Sequence, residues 1–260
     1  MMRFITDVRK YFHYIIFSAR SQLRSEVVNS YLDWVWWILE PFCNMIVYTI
    51  IFGYVFQAAE PYFPIFLFIG ISMWGFFSKT LTASVKLIKS NKAIVTKVYI
   101  PKQMLLLKLM AVNAFKMLLS FIIIFLMMLF YRVQVNASLL YALPALLILF
   151  IFTYGISCFL MHYGVYVEDL AYIVTILMSM LMYFTGIFYS IEKRMPEPFG
   201  HLLSLYNPIA CLITVMRNSL LYMQNSSLTV LGIWFLVSVL IAACGTKLIY
   251  KNENSYVKVI

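Results

Sequence analysis

Met117–Tyr131 reads MLLSFIIIFLMMLFY, an apolar run with Lys116 on one side and Arg132 on the other. It has no charge, and it lacks the polar–apolar alternation of a half-buried strand. Further uncharged runs cover Pro41–Ala59, Pro61–Ser78, Val133–Val167, Leu170–Ile191 and Asn218–Thr246. A helix needs about 20 mostly apolar residues to cross roughly 30 Å of hydrocarbon. The chain is 63% hydrophobic and only 12% charged, with a mean hydropathy of +0.89. Ordinary soluble domains carry about 25% charged residues. These numbers exclude a soluble fold, and the missing alternation excludes a transmembrane barrel. The chain reads as an all-α integral membrane protein.

Six transmembrane helices are predicted near 34–57, 62–83, 104–131, 138–162, 170–190 and 228–250. They form a transmembrane domain over 31–250, between an N-terminal segment (1–30) and a tail (251–260). An even number of spans puts both termini on one side. The net charge of +10 fixes which side. Arg3, Arg9, Lys10, Arg20 and Arg24 precede the first span. Lys79, Lys86, Lys89, Lys92, Lys97, Lys102 and Lys108 lie around the second connection, and Lys247, Lys251 and Lys258 end the chain. The opposite side holds only Arg132, Lys193, Arg194 and Arg217. Basic residues concentrate on the cytoplasmic side, so both termini are expected there. Topology thus accounts for the charge without nucleic acid.

Two segments are neither plain spans nor plain loops. In residues 3–28, Phe4, Val8, Tyr11, Phe12, Ile15, Ala19, Leu23 and Val27 recur at helical spacing opposite Arg3, Lys10, Arg20 and Arg24. That pattern predicts an amphipathic interfacial helix on the inner leaflet, either a simple basic anchor or a partner surface as well. The segment 191–227 contains Pro196, Pro198 and Pro208 but is rich in Leu and Ile. Re-entrant outer helices between spans five and six fit it, provided that protein covers them. Asn207, held out of the helical region by the following proline, is placed to cap a helix opening at Pro208. Arg217, about 14 Å further along, is expected to face water, a headgroup or a helix C-terminus.

The second connection contains SNKAIVTKVYIPK at 90–102. Ser90 and Asn91 can end one helix or cap the next, and Pro101 holds Ile100 extended and opens the third span. Two readings fit these residues. One is a basic juxtamembrane loop that obeys topology and binds anionic lipid. The other is a docking segment whose apolar stretch, Ala93–Val98, meets a partner.

Catalytic signatures are missing. GxxxxGK[ST], HExxH and GxSxG do not occur, so the chain carries no phosphate-binding loop and no motif-based zinc or serine site of its own. His13, His162 and His201 fall in separate regions, and Cys43, Cys158, Cys211 and Cys244 have no metal spacing. Glu40 and Lys116 are the main titratable groups within the bundle, and both positions also suit a membrane interface. No channel filter sequence is present.

Four stretches carry a resemblance. They are SYLDWVWWILEPFCNMIVYTIIFGYVF (30–56), SNKAIVTKVYIPKQMLLLK (90–108), HYGVYVEDLAYIV (162–174) and IFYSIEKRMPEPFGHLLSLYNPIACLITVMRNSLL (187–221). In order and spacing they resemble the ABC type 2 permeases that export O-antigen, capsule and teichoic acid, over roughly residues 5–250. Tyr206-Asn207-Pro208 followed by Arg217 is the most specific piece. The chain departs from the family at Glu168-Asp169, where an arginine–aspartate pair is common, and at Leu32-Asp33, where Leu-Gly is common.

The resemblance implies a permease subunit, not an enzyme. It would form a homodimer with two copies of a separate ATP-binding subunit, which holds ATP and Mg, and would need no cofactor of its own. It implies a multi-pass protein of the bacterial inner membrane that moves a lipid-linked glycan. The segment 86–102 becomes an ATPase-coupling segment through Lys92, Ile94, Val95, Lys97, Val98 and Pro101, with Glu168 and Asp169 as a second contact. Sugar C–H faces stack on aromatic rings, so Tyr48, Phe52, Phe56, Tyr172, Tyr183 and Phe184 are candidates for a substrate channel, although packing explains any single ring equally well. Pro196, Asn207, Pro208 and Arg217 would build an outer gate, or a static seal. Rival functions are an ABC type 2 exporter of drugs or lipids, a polytopic enzyme acting on lipid-linked sugars, and a membrane scaffold.

Overall fold

The computed structural model describes residues 2–27, 33–57, 60–191, 200, 203, 206–225 and 227–259. Within them every regular element is a helix. The first, α1 (Met2–Val27), precedes α2 (Asp33–Tyr48), which continues as a π-helical stretch, Thr49–Val55. Then come α3 (Phe63–Val85), the short α4 (Leu87–Ser90) and α5 (Lys92–Lys97), and the long α6 (Lys102–Phe130). A 3₁₀ turn (Ala137–Tyr141) leads into α7 (Ala142–Tyr166), followed by α8 (Leu170–Phe184), α9 (Pro208–Leu220) and α10 (Leu228–Val259).

Five stretches are long and apolar enough to cross a membrane: Trp34–Val55, Phe63–Val85, Lys102–Phe130, Ala137–Tyr166 and Leu228–Tyr256. They match five of the expected spans to within a few residues. The fifth expected span, 170–190, differs. Its helix stops at Phe184 after 15 residues, about 22 Å, and Gly186 then takes φ +67°, a left-handed stop that glycine allows. The tail differs too: 251–259 continues α10, because it lacks a proline or glycine to end the helix.

Helix α3 occupies the centre and is buried nearly all round, including Ile65, Leu67, Phe68, Ile69 and Met73. Its low sequence amphipathicity follows, since no face has to meet water. Helices α7 and α10 pack closely through small residues. A Cβ on Gly155 would lie 2.8 Å from the Ala242 backbone nitrogen, and one on Gly245 2.8 Å from Cys158 Cβ. Such contact replaces the hydrophobic drive that is missing between helices in lipid. Most hydroxyls in the spans satisfy themselves on the preceding turn, as Thr80 does on Phe76 O (2.6 Å) and Thr153 on Leu149 O (2.7 Å), whereas the buried Ser157 hydroxyl in α7 has no partner among the described residues.

The apolar stripe of α1 is turned partly to protein. Ile15 is buried against Ile100 and Met104 at the start of α6, with Phe4, Val8 and Tyr11 around them. Phe12, expected on that stripe, is exposed instead.

Candidate functional site

The basic segment folds as two short helices rather than a loop. Ser90 Oγ and Asn91 Nδ2 both donate to Leu87 O, at 3.1 and 2.8 Å. They therefore close α4, and neither side chain caps α5. Val98 is extended (φ −131°, ψ 133°) and Pro101 leads into α6. The apolar residues of α5 and Val98, which follows it, divide. Val95 is buried in the main core, whereas Ile94 and Val98 are exposed beside exposed Lys92 and Lys97. Pro101 and Lys102 are buried.

This segment meets the turn between α7 and α8. Lys89 Nζ lies 3.0 Å from Glu168 Oε1, and the Lys86 ammonium sits 5.6 Å from the Tyr172 ring centroid. Glu168 and Asp169 are both exposed. An exposed pair adds little stability, so its significance is positional: it joins the two predicted coupling stretches into one surface. The termini meet at the same end. Arg3 Nη2 donates to Tyr99 Oη and Glu253 Oε1, each at 2.8 Å, and its guanidinium lies 4.3 Å from the Tyr250 ring centroid. The Glu253 carboxylate holds the Arg3 pKa above its ordinary value, and burial followed by Glu253 raises that of Tyr99.

The aromatic residues form one cluster and one outlier. Tyr48 and Phe52 both pack on Phe188, with centroids 4.8 and 4.6 Å apart. Phe56 stacks on Phe52 at 5.6 Å, and Tyr183 joins Phe188 at 5.7 Å. Phe188, absent from the predicted set, is therefore the hub linking α2 to the end of α8. Tyr172 lies about 16 Å further along α8 and is not part of the cluster. Phe184 lines a separate cavity of about 660 Å³ with Trp74, Phe152 and Tyr206. Much of the α2 and α8 surface carrying these rings is exposed, including Tyr54, Phe56, Ile176, Met180 and Tyr183.

The two titratable candidates inside the bundle are paired. Glu40 Oε1 accepts from Lys79 Nζ at 2.9 Å, and Lys116 Nζ donates to Glu26 Oε2 at 2.7 Å. Among the described residues no group of three His, Cys, Asp or Glu side chains is placed to hold a metal.

On the far side, Asn207 Oδ1 accepts from the backbone N–H groups of Ile209 and Ala210, at 3.1 and 3.2 Å. It is the cap expected for a helix opening at Pro208. Arg217 is buried and donates to Phe66 O (3.1 Å), Gly186 O (2.8 Å) and Ile187 O (2.8 Å). Of the three environments expected for it, the helix C-terminus is the nearest: Gly186 and Ile187 lie in the turn just after α8, and Phe66 lies in the first turn of α3. Pro196 lies outside the described residues.

Comparison with known proteins gives these features a context. The profile of the ABC-2 type transporter family matches residues 20–221. The chain belongs to the ABC-2 type transporter family. It is also similar to two proteins named O-antigen export system permease protein RfbA. The one from Myxococcus xanthus is 25% identical over 214 residues, 82% of each chain. One from Klebsiella pneumoniae is 24% identical over 235 residues, 85% of this chain and 90% of that one. This ABC-2 permease is accordingly a multi-pass membrane protein of transport type. Its sequence marked the two stretches expected to couple to a partner, now joined by Lys89 and Glu168, the Asn207 cap and Arg217. It did not mark Phe188 or the Arg3–Tyr99–Glu253 junction. Phe188 sits in a turn, where no periodicity says which way a ring points, and the junction joins residues from opposite ends of the chain.

Proposed function

We propose that this ABC-2 permease is the membrane subunit of an ATP-driven exporter of a lipid-linked surface polysaccharide. It works as a homodimer with two copies of a separate ATP-binding subunit, which supplies ATP and Mg, in the bacterial inner membrane with both termini cytoplasmic. Helix α8 and the turn after it complete a six-span bundle. The observation that carries this reading is the exposed aromatic surface of α2 and α8, joined through Phe188, in a chain similar to O-antigen export permeases. Rings offer sugar faces a stacking surface at little conformational cost, and a second copy would enclose them.

Ile94, Val98, Lys92 and Lys97, with Glu168 and Asp169, form the surface on which the ATP-binding subunit docks. Asn207, Pro208 and Arg217 hold the outer segment. Arg217 ties α9 both to α3 and to the turn after α8, so a gate built on 191–227 does not move by itself. Deleting the chain in its host should leave lipid-linked glycan inside the cell and strip it from the surface, with restoration from a plasmid copy. Normal surface glycan in the deletion strain, together with loss of drug or lipid efflux, would refute the polysaccharide assignment.

A further inference from the structure

A cavity of about 630 Å³ opens among α1, α6, α7 and α10, away from the aromatic cluster. One stripe of α10 forms its longest wall: Val239, Ala242, Ala243, Thr246, Lys247 and Tyr250, spaced as one helical face. The alanines make the depth, and Leu107, Met110, Phe150 and Ile151 close the other sides. From Val239 to Tyr250 the stripe runs about 16 Å, half of a roughly 30 Å hydrocarbon core. That is the depth of one leaflet.

The polar atoms are arranged unevenly. Midway down, the Tyr154 and Thr246 hydroxyls lie 3.1 Å apart, and Thr246 also donates to Ala242 O at 2.7 Å. These groups are satisfied, so the depth of the cavity offers little to hold water, and apolar cavities favour apolar guests. Charge appears only at the end near the chain termini. There Arg3 is engaged by Glu253 at 2.8 Å and Asp7 at 3.8 Å, and the Tyr250 hydroxyl donates to Asp7 at 2.6 Å. Lys247 is exposed and, among the described residues, is in no ion pair. The mouth therefore presents Lys247 as a cation outside any described ion pair, beside an apolar slot one leaflet deep.

We propose that this cavity is a binding site for an anionic glycerophospholipid of the leaflet that faces the termini, with one acyl chain along the α10 stripe and the phosphate at Lys247. The site requires only that the chain lie in a membrane, so it stands or falls separately from the glycan reading. Its occupant would brace α1 against α6 and α10, because Arg3 and Phe4 form its α1 wall.

The test is a lipid titration of the delipidated full chain in detergent, read by native mass spectrometry, with phosphatidylglycerol and phosphatidylcholine as probes. One phosphatidylglycerol should bind per chain, about fivefold more tightly than phosphatidylcholine, the worth of one lysine near an anionic headgroup. Lys247→Gln should make the two lipids equal. Ala243→Phe, which fills the slot and leaves the charge, should abolish saturable binding of both. Equal affinities in the unmodified chain would overturn the proposal, and that result needs no variant to fold. Unchanged binding in Ala243→Phe chain of native helicity would place the lipid elsewhere and overturn it too. Displacement of bound phosphatidylglycerol by an equal concentration of a polyprenyl phosphate would reassign the cavity to a carrier lipid.

Discussion

Arg217 lies over the ring of Phe66, its Cζ 3.3 Å from the centroid, while its Nε donates to the carbonyl of the same residue at 3.1 Å. Helix α9 is thus fastened to α3 by both the face and the backbone of one aromatic residue. Gly70 makes the approach possible, since a Cβ there would fall 2.8 Å from Arg217 Nη2.

Loss of this fastening should be costly. Arg217→Leu would leave the carbonyls of Gly186 and Ile187 without their donor, at about 1–3 kcal/mol for each buried group, while the Phe66 carbonyl, inside α3, keeps its helical bond. Folded yield and melting temperature in detergent should both fall. Arg217→Lys should recover only part, because an ammonium cannot reproduce the planar fork. Gly70→Ala should give a smaller drop. An Arg217→Leu variant as stable as the unmodified chain would mean that the fastening contributes nothing.

Coupling and folding should separate across α5 and Val98. Ile94→Asp and Val98→Asp change exposed positions, so the chain should insert and fold but co-purify poorly with its ATP-binding partner. Val95→Asp puts a carboxylate at a buried core position, which is costly without a partner, and should reduce the amount of folded chain itself. Full recovery of the partner with the Ile94/Val98 double variant would move the docking surface elsewhere.

The aromatic hub should matter more than the outlying ring. Phe188 is 2% exposed, and Phe→Ala at such sites costs about 3–5 kcal/mol. Phe188→Ala should loosen the packing of Tyr48, Phe52 and Tyr183 and lower surface glycan strongly. Tyr172→Ala should lower it little through the aromatic path. Quantitative staining of surface polysaccharide, normalised to permease in the membrane, compares the two. The reverse order would dissociate the cluster from transport.

Topology can be read by labelling. After Cys43 and Cys244, the exposed native thiols, are replaced by serine, Asn136→Cys and Gln224→Cys should react with an impermeant reagent in sealed cells. Lys92→Cys should react only once the membrane is opened. External labelling at Lys92 would invert the orientation and remove the docking role of α5.

Some of this protein was legible in one dimension. Apolar runs longer than a bilayer is thick allow only a helix in lipid, so composition determined the class, and run length determined five of the spans. The Asn207 cap was legible because a cap is a contact between residues two and three apart, and Pro208 permits little else. The spacing of lysine and arginine supported an orientation because topology responds to local charge.

Only the tertiary structure decided what faced what. Periodicity cannot say that Val95 turns inward while Ile94 and Val98 turn out, since a six-residue helix has no stripe long enough to read. Nor does it say that α8 ends at Phe184, because Thr185–Ile191 is as uncharged as the helix before it and only the left-handed Gly186 stops the turn. Arg217 could have met water, a headgroup or a helix end. It meets the turn after α8 and the first turn of α3, where three backbone carbonyls accept from it. Phe188 became a hub, and Arg3 met Tyr99 and Glu253, through contacts between residues far apart in sequence. Such contacts exist only after packing has chosen among chain arrangements that local sequence leaves nearly equal in energy.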